Sequence, residues 1–337
     1  MFLLGFSLAL YFANILADTD CPYVTDNAAK NTTVQTLRLV QYNTEWLFLD
    51  YYSGSDCPGS GCTWNNNTAA ETHMSYVSNI VSELNPDIIN ICEVEGCDEL
   101  NALILGTNQT YSPYLIKGSD TSTGQNVGIL SKISPTKSLY RTETRYTYPI
   151  SISTCGYTGS PSTSGVTKHY ITEFIWNNMN IAMIGAHLLA YPTEPDRCAE
   201  REAQAMVLHD VIQEYYDADY EIIVLGDFND FDGDNPDVNN NIPTSQVLNI
   251  LKGKYSNYTL YSASEVIQQS ERYSDWWDEN NDCQSTIYEF SVIDHILLSE
   301  TLYKSITNAF FYHEYGEYCG TYNSDHYPLV VDFDFTS

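Results

Sequence analysis

Short runs of aliphatic residues recur along this chain, and each stops at a side chain that carries an oxygen or an imidazole. LRLVQY (37–42) ends before Asn43, IINIC (88–92) before Glu93, IAMIGA (181–186) before His187, and IIVLG (222–226) before Asp227 and Asn229. SVIDHILL (291–298) carries Asp294, and Asp325-His326 precedes a final run at 329–333; VGIL (127–130) is one more run of the same kind. Runs this short and this apolar read as buried strands, and Gly226 frees the backbone to turn where Asp227 appears. Between them lie two helical patterns. Met74, Val77, Ile80, Val81 and Leu84 share one face of 70–84, which Asn85-Pro86 stops; Val207, Leu208, Val211, Ile212 and Tyr215 share a face of 198–216. Strands interleaved with helices predict an α/β or α+β architecture with several strand ends converging. One such residue alone is ordinary: Asn caps turns, Glu is a solvated loop charge, His sits satisfied in many cores. Their accumulation, all of types that hold divalent cations or move protons, argues for a site.

With 337 residues, no repeat and no long linker, the chain reads as a leader and one large domain. MFLLGFSLALYFANILA (1–17) is uncharged and apolar and reads as a signal peptide cleaved near Ala17, followed by an N-terminal segment at 18–36. It lacks the usual Lys or Arg near its start, so a retained anchor is the alternative; no later run is long enough to span a bilayer. Secretion agrees with sequons at Asn31, Asn66, Asn108 and Asn257 and with nine cysteines, an odd count that leaves one without an intramolecular partner. Cys92, inside a strand run, is the expected buried free thiol; Cys57 and Cys62 suggest a small local ring. No paired CxxC spacing suggests zinc. The net charge of −30, from 44 acidic against 14 basic residues, is the reverse of a nucleic-acid-binding footprint. An anionic substrate must then be held by metal ions and a few local cations, against the field of the whole molecule.

In chain order, VQYNTEW, PDIINICEVE, GQNVGILSK, IGAHLLA, VLGDFND, SVIDHILLS and NSDHYPLVVDF resemble the motifs of the endonuclease/exonuclease/phosphatase superfamily, over about Arg38 to Phe335. GDFND followed by SDHYP is the specific part; Cys92 stands where the family usually has Gln. The resemblance implies a catalytic domain at 37–337 with the deoxyribonuclease-I-like fold, a four-layer sandwich of two mixed β-sheets packed face to face with helices outside. It implies that Asn43, Glu93 and Asp325 serve a divalent metal, Glu93 most directly, and that Asp227 and Asn229 orient the attacking water and contact the phosphate. It further implies two catalytic histidines: His187, expected to pair with Asp294, and His326 beside Asp325. Carboxylate and amide oxygens suit Mg2+, with Mn2+ as a substitute. Hydrolysis of a phosphate ester requires charge neutralisation, an in-line water and help for the leaving oxygen, which these residue types supply.

Lys168 opens the strand before His187, where relatives often place a cation on the phosphate; a plain surface charge is the alternative. The acidic stretch from Asp230, with Asp232 and Asp234 alternating, resembles the start of a calcium loop but has Asn235 and Asn241 where the loop needs Gly and Glu, which argues against an EF-hand; a structural Ca2+ in a surface loop is a separate expectation. Trp276 and Trp277 read as rim residues that stack on bases or enter a lipid interface, or as rings covering an apolar flank. Three function classes follow. The first is a secreted, extracellular endonuclease of the deoxyribonuclease-I kind, with DNA or RNA as phosphodiester substrate. The second is a neutral-sphingomyelinase-like phosphodiesterase acting on phospholipid. The third is a non-catalytic binding module on the same scaffold. No obligate protein partner is evident.

Overall fold

The computed structural model describes residues 21, 32–49, 63–64, 66–280, 282–315 and 322–336. The leader at 1–17, the Asn31 sequon and Cys57, Cys62 and Cys319 lie outside the described residues. In chain order the first half forms β1 (Thr36–Leu47), α1 (Asn67–Leu84), β2 (Ile88–Val94), α2 (Cys97–Thr107), β3 (Ser112–Leu115), β4 (Asn126–Ser131), β5 (Lys137–Tyr140), β6 (Tyr146–Tyr148) and β7 (Ser162–Ser164). The second half forms β8 (Lys168–Trp176), β9 (Met179–His187), α3 (Pro195–Asp217), β10 (Glu221–Asp227), α4 (Val247–Leu251), β11 (Tyr261–Ser262), β12 (Asp275–Trp276), β13 (Phe290–Ser291), β14 (Asp294–Leu298), α5 (Glu300–Lys304), β15 (Ile306–Phe311) and β16 (Leu329–Asp334).

Two mixed six-stranded sheets result, ordered β15-β16-β1-β2-β4-β3 and β11-β14-β10-β9-β8-β5. Alternation along the strands sorts the side chains into layers. Leu37 and Leu39 of β1, Ile88 of β2 and Val127 and Ile129 of β4 meet Tyr170, Phe174, Ile181, Met183, Ile223, Leu225 and Ile296 from the other sheet in the central core. The outward residues of the first sheet, among them Val40, Ile89 and Ile91, pack under α1 and α2. Those of the second sheet, among them Ile171, Ala182, Ile184, Ile222 and Val224, pack under α3 and α4. This is the four-layer α/β/β/α sandwich that the motifs imply, and both faces of each sheet are covered, which is why the strands read as near-continuous apolar runs.

Each sheet has one parallel pair at its centre, β1 with β2 and β9 with β10, joined through α1 and α3 respectively. Parallel neighbours end on the same side, so their last residues cluster: Asn43 stands opposite Cys92 with Glu93 next, and His187 opposite Asp227. Helix α1 begins at an Asn66 cap, whose Oδ1 accepts from the Ala69 N–H (3.0 Å), and stops at Asn85 in the left-handed conformation. Both helices extend slightly beyond their apolar stripes, because the caps lie outside the periodic residues. Disulfides Cys21–Cys97 and Cys155–Cys198 tie the N-terminal segment to α2 and the loop after β6 to α3, and Cys92 is a buried free thiol. Among the described residues no helix is long and apolar enough to cross a membrane.

Candidate active site

The strand ends that carry the site leave regular geometry as they reach it. Strand β1 does not stop at Tyr42 as its apolar run suggests. It continues through Asn43 and breaks register with β2 before Leu47, with Glu45 and Trp46 at φ 47° and 55°. Glu93 and Asn229 also adopt positive φ, 63° and 50°. A run of non-glycine residues in this region is costly and is retained where surrounding structure over-determines it. Its effect here is to turn side chains into the cleft between the sheets.

Asn43, Glu93, His187 and Asp227 meet there. The Asn43 amide donates to Asp227 Oδ2 (2.9 Å) and Glu93 Oε1 (3.2 Å), and the Trp46 N–H donates to Glu93 Oε2 (3.0 Å). Asp227 Oδ1 accepts from the backbone N–H of Asn229 (2.9 Å), so a donor sits on each of its oxygens. His187 Nε2 lies 3.4 Å from Asp227, 3.9 Å from Glu93 and 3.5 Å from Lys168 Nζ, which itself donates to Gln125 Oε1 (3.1 Å). Ligand atoms of Glu93, His187 and Asp227 all fall within 4.8 Å of one another. Asn229 turns its side-chain amide to Leu188 O (3.3 Å), which places its backbone, more than its side chain, against Asp227.

The expected pairing of His187 with Asp294 is not what the structure shows. Strand β10 lies between β9 and β14, so Asp227 stands between them, in register with His187 on one side and Asp294 on the other. Asp294 instead accepts from His326 Nδ1 (2.7 Å), and His326 turns Nε2 toward Asn43 (3.4 Å), Asp325 (3.9 Å) and Asp227 (4.0 Å). Asp325 thus adjoins His326, outside the tight Glu93–His187–Asp227 group, and its backbone N–H donates to Glu45 Oε2 (3.1 Å).

Behind Asp294 runs a chain of buried hydrogen bonds that the motifs did not reveal. Tyr170 Oη donates to Asn90 Oδ1 (2.7 Å), Asn90 Nδ2 to Gln41 Oε1, and Gln41 Nε2 to Asp294 Oδ1 (2.9 Å). All four residues are fully buried, and the chain crosses from one sheet to the other and back. Gly185 makes room for it, since a Cβ there would stand 2.3 Å from the Tyr170 ring and 2.5 Å from Asn90 Oδ1. The available signal was polarity at the inward alternation of otherwise apolar strands: Gln41 lies two residues before Asn43, and Asn90 two before Cys92.

Electrostatics follow from packing many acids into little water. Burial, then the Asp294 charge, pushes Asp227 up to about 8, and burial raises Glu93, which the Asp325 charge also raises. Burial and then Asp325 lift Glu45 well above the carboxylate range, and burial lifts Asp275, on the neighbouring ribbon, to about 7. Burial opposes a charge on His326, but Asp294, Asp325 and Asp227 outweigh it and hold the imidazole well above its ordinary value. Burial and the nearby Lys168 and His326 charges keep His187 neutral. The donor set is two carboxylates and a neutral imidazole whose Nδ1 has no hydrogen-bond partner among the described residues, while Asn43 turns its NH2 to the carboxylates and its Oδ1 to the Glu45 N–H (3.1 Å). This set fits a divalent cation, which would favour the ionised form of both carboxylates.

In the acidic loop that follows Asn229, the alternating aspartates expected to serve a structural Ca2+ have protein partners. Asp230 is held by Arg201 (2.9 Å) and Ser245, while Asp232 and Asp234 both bind Lys252 (2.6 and 2.9 Å), and the buried Asp232 Oδ2 has no hydrogen-bond partner among the described residues. Trp276 and Trp277 sit on a two-stranded ribbon, β12 with β13, that adjoins the site: Asp275 bridges to His326, and the Trp276 N–H donates to Asp325 O (2.9 Å). Trp276 is half-buried, with its indole N–H on Glu289, whereas Trp277 is 63% exposed.

The sequence profile described as the Endonuclease/Exonuclease/phosphatase family matches residues 40–307. No curated protein matches the chain. Among solved structures, an AP endonuclease from Archaeoglobus fulgidus is similar at a TM-score of 0.57 and 14% identity, over 88% of this chain and 99% of that one. D. rerio TDP2 complexed with a single-strand DNA product is similar at 0.53 and 16%, over 89% and 100%. The human Nocturnin catalytic domain with bound sulfate is similar at 0.53 and 16%, over 94% and 97%. At such identities the likeness is one of fold.

Proposed function

Since the chain belongs to the endonuclease/exonuclease/phosphatase family, whose members hydrolyse phosphoester bonds, we propose that it is a secreted, magnesium-dependent phosphodiesterase that cleaves nucleic acid as an endonuclease. The observation that carries this reading is the meeting of Glu93, His187, Asp227 and the His326–Asp294 pair at one end of the cleft. Glu93 and Asp227, beside His187, would hold the metal, with Asn43 supporting both carboxylates through its N–H groups and Asp325 at the edge of the group. When bound, it supplies charge neutralisation at the phosphate oxygens.

The protein's own residues perform the rest. Asp227, fixed by Asn43 and the Asn229 N–H, keeps lone pairs facing the cleft and orients a water. His326, held by Asp294 through Nδ1, presents Nε2 on the same side, where it exchanges a proton with that water or donates to a phosphate oxygen. Neutral His187 and charged Lys168 face the developing charge from β9 and β8. Lys168 and Asn229 are the phosphate contacts in this scheme.

The test is nicking of plasmid DNA by the protein with magnesium and with chelator, beside Asp227→Ala. Nicking that needs magnesium and falls at least about a thousandfold in the variant supports the reading. Nicking that survives in Asp227→Ala would falsify it. A second reading, a phospholipid phosphodiesterase, is favoured by one observation: Trp277, Ile287 and Tyr288 stand exposed in the segment that joins β12 to β13, beside the site. Release of a phosphorylated head group from vesicles without nicking would select it and keep the same catalytic residues.

A further inference from the structure

Lysine and arginine are unevenly placed around the cleft. None stands between Arg272 and Lys304, the stretch that builds the β12–β13 ribbon; Asp275, Asp278, Glu279, Asp282 and Glu289 stand there instead. This ribbon borders the β14 and β16 side of the site. On the other side, where β3, β5 and β8 reach the same end of the sheets, lie Lys117, Arg141 and Lys168, with Arg145 further out. Several cations elsewhere pair with acids: Arg38 with Asp332, Lys137 with Glu173, Lys304 with Glu300, and Arg201 and Lys252 with buried aspartates.

Arg141 is built into this wall. Its side chain is nine-tenths buried and donates to Ser119 Oγ (3.1 Å) and Lys117 O (3.5 Å), so it fastens the end of β5 in one sheet to the loop after β3 in the other. Its carboxylate partner, Glu143 at 3.3 Å, is exposed, and its buried Nε–H meets no acceptor among the described residues. The Ser119 N–H donates to Thr167 O (2.9 Å), which brings this loop against the residue before Lys168. Among the described residues Lys168 makes no ion pair within 4.0 Å, and it lies 3.5 Å from His187. Cations therefore run from the catalytic group outward along one wall, with Glu143 and Asp120 beside them, whereas the ribbon on the other side carries acids and no Lys or Arg.

Building on the phosphodiesterase reading, we propose that the Lys117–Arg141–Lys168 wall is a subsite for the backbone phosphates of a polynucleotide that lie to one side of the scissile phosphate, and to that side only. A molecule of net charge −30 repels a polyanion overall, so its hold on the chain has to come from cations fixed beside the reacting phosphate. The acidic ribbon repels phosphates that would extend the other way.

The experiment is equilibrium binding of short single-stranded DNA in which uncharged methylphosphonates replace the phosphates first on one side of a central linkage and then on the other. The expected result is a loss of about tenfold or more on one side and under about twofold on the other. Arg141→Ala combined with Lys117→Ala should remove that difference and flatten the dependence of log K on log salt by about 1 or more. Equal losses on both sides, or an unchanged salt dependence in the variant, would overturn the proposal. Because the methylphosphonate series uses the unaltered protein, a misfolded variant does not decide the question. Hydrolysis of bis(4-nitrophenyl) phosphate, which has no flanking phosphate, should be equal in the variant and its parent. Its absence in both would count against the phosphodiesterase reading, while binding, which needs no turnover, still decides the subsite.

Discussion

Asp294 has hydrogen-bond donors on both oxygens, His326 on one and Gln41 on the other, and the direction of every bond behind it is fixed by chemistry. A tyrosine has one O–H to give, and it goes to Asn90; the amides of Asn90 and Gln41 then pass their N–H groups forward to Asp294. The carboxylate is thereby held in place for His326. Gln41→Leu should lower kcat roughly 10- to 100-fold with KM little changed, because the groups that touch substrate remain while their orientation is lost. A matching rise in KM with kcat intact would show that Gln41 is a binding residue instead. His169 offers a prediction about stability. Burial and the Arg141 charge hold it down to about 4 from 6.5, and its Nε2 accepts from the Thr142 N–H (3.0 Å), a bond that the protonated ring cannot make. The unfolded chain therefore binds the proton more readily. His169 contributes full stability above pH 6.5, and about 3 kcal/mol of it is lost as pH falls toward 4. His169→Gln, whose amide oxygen also accepts but does not titrate, should reduce that acid slope in denaturant titrations at a series of pH values.

Strand β10 shows what an element must give up to deliver a catalytic carboxylate. Gly226 has φ 151°, and a Cβ built on it would stand 1.7 Å from Ala186 O in the parallel neighbour β9. Backbone, unlike a side-chain tip, cannot swing aside. Gly226→Ala should therefore cost more than about 3 kcal/mol in chemical denaturation and push Asp227 away from Asn43; a loss below about 1 kcal/mol would show that the two strands can slide. The elements themselves were legible in the sequence because the strands are buried on both faces and the helices carry apolar stripes. Their partners were less so. Spacing alone does not say that β14 enters beside β10, and that adjacency gives Asp294 to His326 and denies it to His187. Nor does it say that Gln41 will meet a residue 253 positions away across the sheet interface. Asn43, Glu93, His187, Asp227 and His326 were legible because each ends a strand or adjoins one, where the change from apolar to polar is abrupt.

At the scale of the whole molecule, a net charge of −30 sets like charges against one another over the entire surface. Raising sodium chloride from about 10 mM to about 300 mM should therefore raise the thermal midpoint, most strongly above pH 7, by screening that repulsion. A midpoint that falls or stays level would mean that the ion pairs contribute more than the surface repulsion costs. The four-layer arrangement was expected from the motifs, whereas the contrast between a cationic and an acidic wall was not, since it arises only when residues 117, 141 and 168 are folded to one edge. The topology also orders events in time. Strand β1 pairs on one side with β16, which follows it far along the chain. A ribosome adding about 5–20 residues per second thus exposes an unpaired edge of the first sheet until β16 emerges, and His326 emerges just before it. Until β16 emerges the nascent chain has neither a closed first sheet nor a complete catalytic group, so the site is assembled only once residues 326–334 have been added.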